Sequence, residues 1–301
     1  MASSQLEAII QMIKSRPREE RLDIPEARKG FEMLASVFPV AADIKREPAS
    51  ANGVPGEWIT APNSTDATTI LYLHGGGYTI GSVNTHADMV SRICRASGAR
   101  AFSLDYRLAP EHPFTAAVED AAKAYRWLLG QGIRPESMVI SGDSAGGGLT
   151  AATLLALKKA GDPLPGAAVL LSPWTDLEAT GDSMKTRAEA DPMISADPAK
   201  TMAKLYAGDV SLTDPLVSPL YGDFHGLPPM LIQVGDAEVL LDDSTRVAEK
   251  AKAAGVDVTL EVWDEMIHVF QIFAPMLPEG QQAIDKIGEW VKRHVHSGAA
   301  A

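Results

Sequence analysis

The sequence predicts an α/β chain, with a mostly parallel sheet flanked by helices on both faces. Two observations carry that expectation. From residue 69 onward, short apolar runs of strand length alternate with stretches of helical periodicity. The composition, 46% hydrophobic and 22% charged over 301 residues, supplies enough apolar matter to bury a core, as one large domain or two small ones.

The elements follow in order. Residues 5–14 place Leu6, Ile9, Ile10 and Ile13 on one helical face. Residues 25–36 do the same with Phe31, Met33 and Leu34, behind a Pro at the first turn. The first fifty residues therefore read as helices. Strands are expected at 69–73, 100–106, 138–141, 167–171, 230–234 and 256–263. Helices are expected at 85–97, 115–129, 145–159, 239–254 and 279–294. Repeated strand–helix alternation argues for a parallel sheet covered on both sides. Residues 181–213 break the pattern with short helices punctuated at Asp191-Pro192, Asp197-Pro198 and Gly208-Asp209. The expected organisation is N-terminal helices 1–48, core 49–180, insertion 181–213 and core 214–301. Helices 1–48 and the insertion together can cap the carboxyl edge of the sheet, where ligands bind in open α/β sheets.

Charge excludes some functions. With 27 basic and 39 acidic residues the net charge is −12, which suits neither nucleic acid nor an anionic membrane surface. A single cysteine, Cys94, allows no intramolecular disulfide and no cysteine-based zinc site. It falls among apolar neighbours on the helix 85–97 and reads as a small core residue. No signal-peptide core and no long apolar span is visible, so a cytoplasmic protein is expected.

Gly142-Asp143-Ser144-Ala145-Gly146 is a Gly-x-Ser-x-Gly pentapeptide between an expected strand and an expected helix. That context suits a nucleophile. A sharp turn would lift the Ser144 hydroxyl into the open, and side chains two residues either side would clash. His74-Gly75-Gly76-Gly77-Tyr78 follows the strand 69–73. Its backbone N–H groups, with that of Ala145, could hold a developing oxyanion. Gly76 and Gly77 are the favoured donors and Gly75 the alternate. A phosphate loop would need different glycine spacing.

A serine nucleophile needs a base, and seven histidines are present: His74, His86, His112, His225, His268, His294 and His296. His74 adjoins the glycine run and more readily shapes it. His294 and His296 lie at the C-terminus, while His86 and His112 precede the serine. The expected chain order is serine, acid, histidine, which leaves His225 and His268. His268 follows the last strand, where a catalytic base should hang. The acid should follow the strand 230–234, and spacing alone leaves Asp236 and Glu238 open. Asp242 and Asp243 fall in the next helix and are expected to face solvent.

Taken together, His74-Gly75-Gly76-Gly77, Asp105-Tyr106-Arg107-Leu108-Ala109-Pro110-Glu111, Gly142-Asp143-Ser144-Ala145-Gly146-Gly147 and the Glu238…His268 pair resemble the bacterial hormone-sensitive lipase family of α/β-hydrolases. The resemblance runs from about Gly56 to the end, and the N-terminal helices look like that family's cap. It implies an α/β-hydrolase fold, a carboxylesterase with a Ser–His–acid triad, no cofactor and often a homodimer. In that family the acid sits in an Asp-Pro-Leu segment about thirty residues before the histidine. Here that segment reads Glu238-Val239-Leu240, so the resemblance points to Glu238.

The expected function is hydrolysis of small, short-acyl esters by Ser144, His268 and Glu238, with activity falling below about pH 6.5 as the histidine charges. The same site could serve an amidase or a lipase. A non-catalytic small-molecule receptor is the third reading, which the intact histidine disfavours. Asp105, Arg107 and Glu111 are expected to brace the glycine loop. Phe31, Met33, Tyr78, Trp174, Met193, Leu205 and Tyr206 are candidates for the pocket wall.

Overall fold

The structure is a computed structural model that describes residues 3–15 and 23–295. Two helices, α1 (Ser4–Lys14) and α2 (Ile24–Ala35), open it. They are followed by an antiparallel hairpin of β1 (Lys45–Ala51) and β2 (Val54–Thr60). The hairpin corrects the all-helical expectation for the first fifty residues, and β1 straddles the expected boundary at 48/49. Its turn, Asn52-Gly53, has positive φ at both residues, 51° and 92°. Asn-Gly supplies that geometry at low cost and matches the twist of the flanking strands.

The alternation then runs β3 (Thr65–Leu73), α3 (Val83–Ser97), β4 (Ala99–Leu104), α4 (Ala116–Gly130), β5 (Met138–Asp143), α5 (Ala145–Ala160) and β6 (Ala167–Leu171). Within the insertion lie α6 (Ser183–Thr186) and α7 (Ala196–Ala207). The chain closes with β7 (Met230–Gly235), α8 (Leu241–Ala253), β8 (Val258–Trp263) and α9 (Pro278–His294). Among the described residues, eight strands form one sheet in the order β1-β2-β4-β3-β5-β6-β7-β8. Pairing is parallel from β4 through β8 and antiparallel at β1–β2–β4.

Every residue of β5, β6 and β7 is buried. Both faces of these strands are covered, which is why they read as continuous apolar runs with no alternation. One face packs on α3 and α9, through Val90, Ile93, Ile284 and Trp290. The other packs on α4, α5 and α8, through Tyr125, Leu149, Leu154 and Val247. Cys94 is buried in the first of these layers, as expected. Helix α1 buries Leu6 and Ile9 against Met266, Ile267 and Phe270, in the segment that carries His268.

Asp243 does not face solvent, and Asp242 is half-buried. Asp243 is buried, and its Oδ2 accepts the N–H groups of Thr175 and Asp176 at 2.7 and 2.8 Å. Burial pushes its carboxyl up to about 7. Asp242 accepts the Ser183 N–H at 2.9 Å. Both acids fasten α8 to the loops after β6, a role that leaves no trace in helical periodicity.

Candidate active site

Ser144 sits between the last residue of β5 and the first of α5, with φ 53° and ψ −122°. A non-glycine residue holds such a conformation only where its surroundings enforce it. Here the Ser144 N–H donates to the Leu171 carbonyl at 2.8 Å, and its carbonyl accepts the Trp174 N–H at 2.9 Å. A Cβ on Gly146 would overlap the carbonyl oxygen of Leu73, at the end of the neighbouring strand. The glycine spacing therefore follows from the approach of the β3 end to the turn. Ser144 lines a cavity of about 300 Å³, and so does His268.

His268 lies in the segment after β8, and its Nδ1 is 2.7 Å from Glu238 Oε2. Glu238 is fully buried in the loop after β7. Its other oxygen, Oε1, accepts the Ser172 hydroxyl at 2.8 Å and the Gly235 N–H at 2.7 Å. Ser172 Oγ in turn accepts the Val269 N–H at 3.1 Å, tying the acid's holder to the histidine segment. The extra methylene of Glu, relative to Asp, is taken up by folding the carboxylate back over its own loop. Asp236 is turned elsewhere, accepting the Glu265 N–H at 2.7 Å. Burial disfavours the His268 imidazolium, but the Glu238 carboxylate, with Asp191 and Asp143 adding to it, outweighs that. The His268 pKa therefore lies above its ordinary value.

Of the other described histidines, only His86 lines the same cavity. His225 is exposed beside Asp223, His112 is exposed, and His294 stacks on Trp290. His296 lies outside the described residues. His74 is buried and stacked on Tyr106, with its Nδ1 2.8 Å from the Gly75 carbonyl. Burial and the neighbouring His86 push it down to about 4, so it stays neutral.

In the glycine loop, the Gly75 N–H donates to Asp143 Oδ1 at 3.1 Å and is therefore engaged. Among the described residues, nothing accepts from the N–H groups of Gly76 or Gly77. Gly76 adopts φ 116°, where a Cβ would also overlap the Ile80 carbonyl. Ala145 opens α5, so its N–H has no intrahelical partner.

Sequence reasoning missed what holds this loop. Asp143 is buried, and besides Gly75 it accepts the Tyr72 hydroxyl at 2.8 Å and lies 3.2 Å from His86 Nε2. His86 lies 57 positions away and on an ordinary helix, so nothing local marks it. The expected brace is corrected as well. Arg107 bonds Asp120 on α4, and the Asp105 N–H donates to Pro55. Only Glu111 reaches the loop, through Arg28 of α2, which also donates to the carbonyls of Thr79 and Ala109.

A family model described as alpha/beta hydrolase fold matches residues 70–272. An acetyl-hydrolase of Streptomyces hygroscopicus is 40% identical over 298 residues, covering 99% of each chain. An esterase of Acinetobacter venetianus is 36% identical over 285 residues, 94% of each chain. A crystal structure of an esterase from the bacterial hormone-sensitive lipase family matches with a TM-score of 0.96 and 51% identity, over 98% of this chain and 100% of that one. The chain belongs to that family.

It is an esterase, a serine hydrolase on the α/β-hydrolase fold. A further structure in the comparison, of EstE5 soaked with p-nitrophenyl butyrate, is 49% identical with a TM-score of 0.94, over 97% of this chain and 99% of that one. The cavity of the present esterase is walled mostly by apolar side chains, including Leu240, Val269, Ile272 and Phe273 beside the Glu238 and His268 segments. Phe31 comes from α2, Trp174 from the loop after β6, and Met193, Ile194 and Met202 from the insertion. Three of the expected wall residues, Phe31, Trp174 and Met193, are in place. Tyr78 and Tyr206 instead stack 3.7 Å apart inside the core, where Leu205 also packs, and Met33 is exposed. Their apolar or aromatic character could not distinguish wall from core.

Proposed function

We propose that this esterase hydrolyses small, uncharged carboxylic esters with short acyl groups, through an acyl-enzyme on Ser144. The observation that carries the reading is the 2.7 Å contact of His268 Nδ1 with Glu238, in a histidine that shares one cavity with Ser144 and the glycine loop. Nε2 of His268 takes the Ser144 proton as Oγ attacks the ester carbonyl. Glu238 holds the tautomer with the proton on Nδ1 and stabilises the imidazolium that forms. Gly76, Gly77 and Ala145 donate to the oxyanion, while the Gly75 N–H stays with Asp143. The imidazolium returns the proton to the leaving alcohol, and water repeats the cycle on the acyl group.

The substrate class follows from the wall. A cavity of about 300 Å³ lined by Phe31, Trp174, Met193 and Met202 has room for a small apolar ester, and the ionisable groups that also line it, Asp143, His86 and His268, are already engaged with one another or with Tyr72 and Glu238, so a charged ester finds no free counter-ion. The names of two relatives, an acetyl-hydrolase and a protein soaked with p-nitrophenyl butyrate, point the same way. Helix α2 and the insertion form the cap over Ser144 in this reading. A cytoplasmic setting agrees with the single cysteine, and a homodimer with the family pattern.

Hydrolysis of p-nitrophenyl esters from acetyl to palmitoyl tests it. Turnover is expected to peak at short chains and to vanish in Ser144→Ala. A peak at palmitoyl, or retained turnover in Ser144→Ala, would overturn it. The pH profile carries a sign. The base must be neutral and its pKa is raised, so the acid limb of kcat/KM lies above the ordinary histidine value of about 6.5. A limb well below that value would remove His268 from the role of base.

A further inference from the structure

The insertion and the acid loop meet at one buried carboxylate. Asp191 is 1% exposed. Its Oδ1 accepts the N–H groups of Met193 and Ile194, at 2.8 and 2.9 Å, closing a tight turn. Its Oδ2 accepts the Val239 N–H at 2.9 Å, the residue directly after Glu238. Met193 and Ile194 are wall residues of the cavity. One side chain thus ties the substrate wall to the loop that carries the acid, 48 positions away in sequence.

We propose that Asp191 is a positioning residue of the catalytic site, setting the Glu238 loop against His268 and adding a second fixed negative charge beside the imidazole. The proposal rests on the Ser144–His268–Glu238 assignment above. Two physical effects follow. The Val239 N–H bond fixes where the Glu238 backbone lies, and a shift of that backbone would misalign a contact that must stay near hydrogen-bond length. On the pH plateau the charge matters most in the transition state, because the imidazole is neutral in the ground state and becomes charged as Ser144 gives up its proton. Both effects act on kcat more than on KM.

The charged and titratable groups around His268 can be named. Glu238 contacts it from the loop after β7, and the negative charges of Asp191 in the insertion and Asp143 at the end of β5 act on it through space. His86 and His74 lie behind Asp143. A negative charge favours the imidazolium, so removing one lowers the His268 pKa. The acid limb of kcat/KM then moves to lower pH.

Two substitutions separate positioning from simple bracing of the turn. Asp191→Asn keeps the shape and removes the charge. Asp191→Ser keeps a short oxygen for the Met193 and Ile194 N–H groups but cannot reach Val239. The readouts are kcat, KM and the pH profile on p-nitrophenyl butyrate, with thermal unfolding recorded alongside. Both variants are expected to melt cooperatively and to lose about tenfold or more in kcat at the pH plateau, with KM little changed. Both should move the acid limb to lower pH. An Asp191→Ser enzyme with wild-type kcat and an unmoved limb would reduce Asp191 to a turn brace and overturn the proposal. Loss of cooperative melting in both would overturn it too, by making Asp191 a residue of folding. Glu238→Gln, measured in parallel, keeps the two readings apart: full activity there removes the acid assignment itself, whereas its collapse beside an unaffected Asp191→Ser removes only the positioning role.

Discussion

Glu238→Gln is expected to lower kcat by about 10⁴-fold, with KM changed far less. The amide fits the same space and can still accept from Ser172 and Gly235, so the fold should stand. What it loses is the fixed negative charge 2.7 Å from His268 Nδ1. A neutral amide does not stabilise the imidazolium and can select the wrong tautomer, leaving Nε2 protonated where it must accept. Asp236→Asn is the paired measurement. Its side-chain oxygen can still take the Glu265 N–H, so kcat should stay within a few-fold of wild type. The reverse outcome, a collapse in Asp236→Asn with Glu238→Gln active, would move the acid to Asp236.

Asp143→Ala is expected to be the most damaging change outside that pair. It leaves the Tyr72 hydroxyl and the Gly75 N–H without an acceptor and His86 Nε2 without its partner, all in a buried site. Each buried group so orphaned costs about 1–3 kcal/mol, so the three together cost at least about 3 kcal/mol. That corresponds to a fall in Tm of about 10 °C for a chain of this size. Activity should fall in the protein that remains folded, because Gly75 anchors the start of the loop that presents Gly76 and Gly77. The carboxyl pKa carries a sign. Burial opposes the charged form, but His86, Tyr72 and His74 more than offset it, so the Asp143 pKa is lowered. Its stabilising contribution is then present above the ordinary carboxylate pKa and lost only as pH falls through the lower folded value. A Tm within about 2 °C of wild type at pH 7 would show that the loop does not depend on Asp143.

Ser144 and His268 are marked in the sequence by local pattern. A Gly-x-Ser-x-Gly turn joins a strand to a helix, and a histidine follows the last strand. Both signals reside in a few adjacent residues. Glu238 is different, because Asp236 sits in the same loop and either acid satisfies the spacing. Only the resemblance favoured Glu238 before the structure placed it beside His268. Asp143, His86, Tyr72 and Asp191 were illegible, since each owes its place to a hydrogen bond across the sheet or across the insertion. Periodicity along one element reports which face is apolar and nothing about such partners. The β1–β2 hairpin has a local signal of its own, Asn52-Gly53 between two seven-residue strands, but the charged and half-buried strand residues mask it. The wall fell in between, as Phe31 and Met193 face the cavity while Met33 and Tyr206 share their character but not their direction.

The central claim is that Ser144 carries the acyl group. Rapid acid quench of the esterase with p-nitrophenyl butyrate, in the first turnover, followed by mass spectrometry of its peptides, tests this most directly. The account predicts a butyryl adduct on the peptide containing Ser144, at a level matching the burst of p-nitrophenol and absent in Ser144→Ala. A burst with the adduct on another residue, or steady hydrolysis with no adduct under any quench time, would contradict it.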